Sequence, residues 1–337
     1  MNILVLGSRG NISFRFVSHA LAMGCHVTTV SRGSGHSARR GFQHANRKDL
    51  FVDARLTNQL AELFSKNTYD VVVDFICYNA LDAESRVSIF SGNIGRYIFI
   101  STTASYSKNP VHLPYTEQTP VDSLNWDYCR DKVDAENVFF KAREDEAFPV
   151  IVARLAHTYD TVVPVAVGPA DWTVPKRILD GKSVVVHGDG TTLWTLTHAM
   201  DVATALLGLC DNERAIGEIY NIVSQARMTW NDITLDLFKV LEMPPSICYV
   251  PSFKIYEVSS YLGNGIIWHK RWNDFYDNGK IVKTLGNWVP KIDFKPGLAS
   301  TVEWYRGSGE RQHVSKELDA VLDNLCSINS ESKYESD

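Results

Sequence analysis

The stretch Ile3-Leu4-Val5-Leu6-Gly7-Ser8-Arg9-Gly10-Asn11-Ile12-Ser13 decides the fold. Ile3–Leu6 is an apolar run too short for a helix and reads as a strand buried on both faces. Gly7 permits a tight turn, and Gly10 lets an anion approach the backbone at a helix N-terminus, where free amides and the dipole favour negative charge. Beyond the turn, Ile12, Phe16, Ala20 and Met23 recur at steps of four, four and three, which is one helical face, and Gly24 supplies a left-handed stop. Working outward, Val27–Val30, Val71–Val73, Tyr97–Ile100 and Val150–Val152 are further short Val/Ile-rich runs separated by helical patterns. Strands alternating with helices predict an α/β fold with a doubly wound parallel sheet.

After about residue 155 the pattern loosens. Gly/Pro-marked stretches at Pro164–Pro175 and Gly188–Gly190 interrupt it, and helices are expected near Asp201–Cys210 and Trp230–Glu242. We therefore expect residues 1–155 to form the dinucleotide-binding domain and residues 156–306 mainly a smaller mixed α/β substrate lobe. That lobe would face the carboxyl ends of the first sheet, where such sheets bind ligands. Residues 307–337 read as a C-terminal helix and tail, with Ser327–Asp337 polar enough to be disordered.

Composition narrows the class. With 337 residues, net charge −5, 45% hydrophobic and 22% charged residues, the chain is neither collagenous nor wholly disordered. No apolar run approaches the roughly 20 residues that span a bilayer. Met1 leads straight into Ile3–Leu6 with no basic leader, so a cytoplasmic protein is expected. The mild acidity offers no footprint for a nucleic-acid backbone. Cys25, Cys77, Cys129, Cys210, Cys248 and Cys326 form no CxxC pair, so reduced thiols are expected and no metal site.

Strand, glycine turn and helix in that order point to a dinucleotide on Gly7, Arg9, Gly10, Asn11 and Ile12, with Ser13 small enough to pack helix against strand. The second strand ends Ser31-Arg32 without the acid that would bond a ribose 2′-hydroxyl. Arg32, with Arg9 and the nearby Arg39 and Arg40, favours a 2′-phosphate, so NADP is expected and NAD is the alternative.

Tyr128-Cys129-Arg130-Asp131-Lys132 opens a helical stretch running to about Arg143. Residues four apart share a helix face, and a cation beside a phenol favours phenolate. Upstream, Tyr97–Ile100 delivers the hydroxyls of Ser101-Thr102-Thr103-Ala104-Ser105-Tyr106 to the carboxyl edge of the sheet. These pieces, with Thr116-Glu117-Gln118-Thr119-Pro120, Arg154, Gly188-Asp189-Gly190-Thr191, His198-Ala199-Met200-Asp201-Val202-Ala203, Asp277-Asn278-Gly279-Lys280 and Leu285-Gly286-Asn287-Trp288-Val289-Pro290, occur in an order that resembles the extended short-chain dehydrogenase/reductases, the NAD-dependent epimerase/dehydratase family. The likeness covers residues 1 to about 306.

The resemblance implies a Rossmann-type sheet and Tyr128 as the acid/base. Lys132 would bond the nicotinamide ribose and depress the tyrosine pKa. Thr102, or one residue on Thr103, would orient the substrate oxygen. Asn46, or less favourably Asp49, would meet the adenine, and a homodimer through two helices of the first lobe is expected. Thr103-Ala104 stand where dehydratases of the family carry Asp-Glu, which disfavours dehydration. Trp194 stands where nucleotide-sugar members usually carry an arginine, leaving Arg177, Lys176, Lys270 or Arg271 as substitutes. His157 replaces a common asparagine and faces the substrate as a second possibility beside simple packing; Trp172, Trp194 and Trp268 pose the same choice. The sequence thus predicts a nicotinamide-dependent epimerase of a sugar or nucleotide-sugar, with an NADPH-dependent reductase or dehydrogenase as the alternative and a non-catalytic regulatory member as a distant third.

Overall fold

A computed structural model describes residues 1–33, 42–65, 67–108, 113–121, 126–286 and 288–331. The elements run β1 (Asn2–Leu6), α1 (Asn11–Ala22), β2 (His26–Ser31), β3 (Arg47–Phe51), α2 (Thr57–Ser65), β4 (Val71–Asp74), α3 (Ala80–Phe90), β5 (Arg96–Thr102), α4 (Asp127–Glu146) and β6 (Val150–Leu155). The chain continues with β7 (His157–Tyr159), α5 (Thr173–Leu179), β8 (Val184–His187), β9 (Leu193–Trp194), β10 (Leu196–His198), α6 (Ala199–Cys210), β11 (Ile219–Ile222), β12 (Met228–Thr229), α7 (Trp230–Val240) and β13 (Ile247–Val250). Last come α8 (Ser252–Val258), α9 (Ser260–Gly265), α10 (Gly279–Thr284), α11 (Phe294–Arg306) and α12 (Lys316–Glu331).

Seven strands form one parallel sheet in the order β11-β6-β5-β4-β1-β2-β3. The order reverses beside β1, and the crevice outside the carboxyl ends of β1 and β4 is where a doubly wound sheet accepts a ligand. The central strands are Val- and Ile-rich because helices cover both faces; every residue of β4 and β6 is buried. One apolar layer joins α1 and α6 to the sheet through Phe16, Ala20, Val202 and Leu206. The opposite layer joins α3 and α4 through Phe90, Ala135 and Phe139.

Two strands were not legible in the sequence. β3 reads Arg47-Lys48-Asp49-Leu50-Phe51, the polar character of an edge strand that needs no buried face. β11 brings Ile219–Ile222 back to β6, after α6 has already returned to the first sheet. A cut at residue 155 therefore leaves two elements of the first lobe on its far side. The expected disordered stretch from Ser327 also begins inside α12, which runs on to Glu331 because Leu322 and Leu325 are buried against the second lobe; residues 332–337 lie outside the described part.

A buried ion pair underpins β4. Arg86 Nε donates to Asp74 Oδ2 at 2.8 Å, Tyr97 donates to the same oxygen at 2.8 Å, and the Ile76 amide donates to Oδ1 at 2.8 Å. All three side chains are fully buried, and Nη1 and Nη2 of Arg86 have no partner among the described residues. Removing one member of such a pair leaves an uncompensated charge. Arg86→Met is expected to cost about 3–5 kcal/mol in urea unfolding, and adding Asp74→Asn to recover part of it; equal losses in the single and double variants would contradict this account.

In the second lobe His187 is 2% exposed against the Trp230 ring at 5.6 Å, with Nε2 unpartnered among the described residues. Burial, with help from Lys270, pushes its pKa down to about 3, and burial does the same to His157. An unfolded histidine titrates near 6.5, so between pH 6.5 and 3 the unfolded chain binds protons that the folded chain refuses. Stability is complete above pH 6.5 and falls as pH drops, by up to about 1.4 kcal/mol per unit for each histidine. His187→Phe is expected to flatten the slope of unfolding free energy between pH 7.5 and 5; an unchanged slope would remove His187 as its source.

Candidate active site

Gly7 follows β1 with φ +82°, and a Cβ there would meet Ile76 Cγ2 at 2.4 Å, so only glycine lets the turn close against the end of β4. The Gly7 amide bonds the Val30 carbonyl at 3.0 Å, and the Gly10 amide bonds Ser13 Oγ at 2.8 Å. Ser13 is thus more than a small residue: it shapes the turn. The first-turn amides of α1 have no intrahelical acceptor, and Gly10 precedes them in extended backbone. This arrangement fits a dinucleotide, whose pyrophosphate is the anion such a turn takes.

A cavity of about 490 Å³ runs from this turn across the carboxyl ends of β2 to β5. Its walls include Gly7, Arg9, Gly10, Asn11, Ile12, Ser31 and Arg32 from the expected cofactor set and Tyr128 and Lys132 from the expected catalytic set. One site therefore gathers two motifs separated by about a hundred residues. Asn11 is also committed elsewhere: its Oδ1 accepts from the Thr161 amide at 2.8 Å and its Nδ2 donates to the Thr158 carbonyl at 3.2 Å, tying the turn to the second lobe.

Asn46 departs from expectation. It sits at the amino end of β3, where its carbonyl accepts from the Val27 amide, and it does not line the cavity. Asp49 faces Thr29 and Arg47 within the sheet. Their place is taken by Asp53, Ala54 and Arg55, just beyond the carboxyl end of β3. Arg55 clasps Asp53 with Nε at 3.0 Å and Nη2 at 2.7 Å. Those bonds, with Arg32 nearby, hold the Asp53 carboxyl down to about 2. Reading Arg47–Phe51 as a strand would have exposed this signal. Arg39 and Arg40 lie outside the described residues.

Tyr128 stands in the first turn of α4, 41% exposed, with its hydroxyl hydrogen-bonded to Thr102. Thr102 ends β5, where its Oγ1 also accepts from the Ala104 amide at 3.1 Å. Loss of water around the hydroxyl pushes the phenol up to about 12, against a smaller lowering by Thr102. This reverses the expected depression by Lys132. The reason is geometric: Lys132 Nζ is 2.6 Å from the Cys77 carbonyl and 2.8 Å from the Ile100 carbonyl, and it packs over the Tyr78 ring at 4.7 Å. Burial also lowers its own pKa.

The expected substrate residues scatter. Thr103 is fully buried, donates to the Leu155 carbonyl at 3.3 Å and meets Tyr276. Trp194 is 2% exposed and donates through Nε1 to His157 Nδ1 at 3.1 Å, so the two satisfy one another beside Trp230. Arg177 is a structural cation: it donates to the Ser183 carbonyl at 2.6 Å and pairs with Asp319 and Asp323 of α12, each at 2.7 Å. Arg271 lies over the rings of Phe253 and Trp272. Lys176 pairs with Asp180, and Lys270 donates to the Val165 carbonyl at 2.9 Å. None of these seven lines the cavity described above. Trp172 stacks on Tyr305 at 5.0 Å, a packing role, while Trp268 is 36% exposed.

A buried carboxylate escaped the sequence reading. Asp274 accepts from Lys108 Nζ at 2.7 Å, from Tyr276 and from His269 Nε2, 2.5 Å away. Burial raises its pKa, but Lys108 and His269 outweigh that and hold it well below the usual range. Trp126, whose ring is 5.2 Å from that of Tyr128, lies 6.3 Å from His269, so this cluster backs the start of α4. Among the described residues no group of His, Cys, Asp and Glu is arranged to hold a metal, and no helix is long and apolar enough to cross a membrane.

Comparisons with known proteins agree with this geometry. The 2′-dehydrokanamycin reductase of Streptomyces kanamyceticus is 25% identical over 256 residues, 75% of this chain and 70% of that protein. The chloroplast stem-loop binding protein of 41 kDa b of Arabidopsis thaliana is 24% identical over 96% of this chain and 83% of its own length. Similar curated dTDP-glucose 4,6-dehydratases, among them those of Actinoplanes sp. and Mus musculus, are matched over 57 to 62% of their length. Among solved structures, the dTDP-glucose 4,6-dehydratase of Bacillus anthracis in complex with NAD superposes with a TM-score of 0.75 at 22% identity, covering 92% of this chain and 98% of that one. Residues 3–223 match the family described as NAD dependent epimerase/dehydratase, and the chain belongs to that family.

Proposed function

We propose that the protein is an NADP(H)-dependent oxidoreductase that reduces a ketone, or oxidises the corresponding alcohol, on a sugar or sugar-like ring. The observation that carries this reading is the single cavity joining the Gly7 turn to Tyr128 and Lys132, with Arg9, Arg32 and Arg55 in its walls. Gly7, Gly10 and the start of α1 would hold the pyrophosphate, and Ser31 and Arg32 a 2′-phosphate. Bound there, the nicotinamide supplies or accepts hydride. Tyr128 gives its hydroxyl proton to the substrate oxygen, or takes one from it, while Thr102 orients that oxygen through the hydroxyl it shares with Tyr128. A phenol raised to about 12 is protonated at neutral pH, which suits the donor role needed for reduction.

Epimerisation through a transient ketone is the second reading. It uses the same residues and is favoured by the family to which the chain belongs. Absorbance in the nicotinamide band separates the two on a panel of keto-sugars and nucleotide-sugars. Stoichiometric NADPH consumption supports reduction, whereas product without net change in the cofactor supports epimerisation. The stem-loop binding relative raises nucleic-acid binding as a contrast, and the net charge of −5 speaks against it.

Two variants test the assignment. Calorimetry is expected to show NADPH binding at least tenfold tighter than NADH, and Arg32→Ala to weaken NADPH about tenfold while leaving NADH unchanged. Tighter NADH binding, insensitive to Arg32→Ala, would overturn the choice of cofactor. Tyr128→Phe is expected to lower turnover about 10²–10⁴-fold with cofactor affinity intact; unaffected turnover would remove Tyr128 from the chemistry.

A further inference from the structure

Four of the six cysteines, Cys25, Cys77, Cys129 and Cys210, are buried. Cys248 and Cys326 are only half-buried, and they share one place. Cys248 lies on β13 and Cys326 on α12, with the two thiols within hydrogen-bonding reach of each other. The Arg177 guanidinium completes the cluster, with Nη2 3.9 Å from Cys326 Sγ.

The surroundings give the pair a mechanical role. α12 is the last described element and reaches the second lobe by two means. Leu322 and Leu325 are buried in the lobe core, beside β8, β13 and α5. On its polar side Asp319 and Asp323 bind Arg177 and Lys182, but Asp323 is 49% exposed and Lys182 39%. Ion pairs that open to water contribute little. The helix is thus held by one apolar strip and by the buried Arg177 at Asp319, while the Lys182–Asp323 pair opens to water; Cys326 follows Leu325 in the chain.

We propose that Cys248 and Cys326 form a modification site for a low-molecular-weight disulfide such as oxidised glutathione, which converts them into an internal disulfide stapling α12 to β13. The exchange balances in two steps. The Cys248 thiolate attacks one sulfur of oxidised glutathione, breaking its S–S bond; a mixed disulfide forms on Cys248 and one glutathione leaves as thiolate. Cys326 then loses its proton and attacks the Cys248 sulfur, closing the protein disulfide and expelling the second glutathione as thiolate. Both departing thiolates take up the protons lost by the two cysteines. Two protein thiols are oxidised and one small disulfide is reduced to two thiols.

The order of attack follows from the environment. Burial, and then the contact with Cys248, push the Cys326 thiol up to about 12, which makes it the poorer first nucleophile. Arg177 beside its sulfur works in the opposite direction and favours the thiolate required in the second step. Closing the bond restricts the unfolded chain between residues 248 and 326, a long loop whose constraint is strongly stabilising. None of these residues lines the cavity around Tyr128.

The test uses the full chain, folded, and needs no substrate. After incubation with oxidised glutathione and peptide mapping, the expected result is a Cys248–Cys326 disulfide, with Cys25, Cys77, Cys129 and Cys210 still alkylatable after unfolding. Thermal unfolding should rise by about 5 °C and return on reduction with dithiothreitol. Amide exchange across residues 316–331 should slow at least tenfold. Cys326→Ser should instead retain glutathione on Cys248 and show no thermal gain. A glutathione adduct that persists in the unsubstituted protein, a disulfide involving a buried cysteine, or no reaction at all would overturn the proposal.

Discussion

The ammonium of Lys132 is the constraint on which the geometry of the site depends. It is 3% exposed and bonded to the carbonyls of Cys77 and Ile100, which follow β4 and belong to β5. An ammonium taken from water without partners costs several kcal/mol, so this one is stable only while α4 lies at the height and rotation that keep both carbonyls in reach. One helical turn further on, Glu136 accepts from Ser101 at 2.5 Å and from Arg154 Nε at 3.0 Å, adding β6 to the same arrangement. The apolar contacts of α4, through Ala135, Phe139 and Ala142, are non-directional and would tolerate sliding along the sheet. The polar ones would not. Together they present Tyr128, in the first turn, to Thr102 at the end of β5.

The same constraint explains why the relation between Tyr128 and Lys132 differs from the one sequence spacing suggests. Four residues on a helix do put both side chains on one face. Spacing does not say how far each extends or what meets it. Lys132 is drawn down between two carbonyls, while the Tyr128 hydroxyl turns to Thr102. Loss of water around its hydroxyl raises the phenol, against a smaller lowering by Thr102. The motif puts two side chains on one helix face, and the packing sets the electrostatics between them.

That division between what is local and what is long-range holds through the molecule. The Gly7 turn, α1 and strands β1, β2, β4, β5 and β6 were legible because each carries its own signal in ten or twenty residues: an apolar run, a helical period, a glycine. β3 is hidden because an edge strand is free to be polar, and with it Asp53, which lines the cavity while Asn46 stands at the other end of the strand. Arg177 reads in sequence as a cation suited to a diphosphate, yet its carboxylate partners stand more than 140 residues away on α12. Trp194 and His157 lie 37 residues apart in sequence, yet they satisfy each other by one bond. Side chains with long-range partners cannot be assigned from neighbours in sequence.

Asp53 also bears on which cofactor the cavity suits. From the sequence, the absence of an acid after β2 weighed against NAD. The folded chain does place a carboxylate in the same cavity wall, delivered by β3, but that carboxylate already receives three bonds from Arg55 and lies in the field of Arg32. Its Oδ2 takes one bond from Arg55 and has lone-pair capacity left for a ribose hydroxyl, so the acid alone does not decide between the two cofactors. What the wall offers a 2′-phosphate is the positive charge of Arg9 and Arg32, which stands beyond the Asp53–Arg55 pair. On the reading proposed above, the carboxylate therefore acts to hold Arg55 against the cavity, and the balance of charge there favours an extra phosphate even though an acid is present.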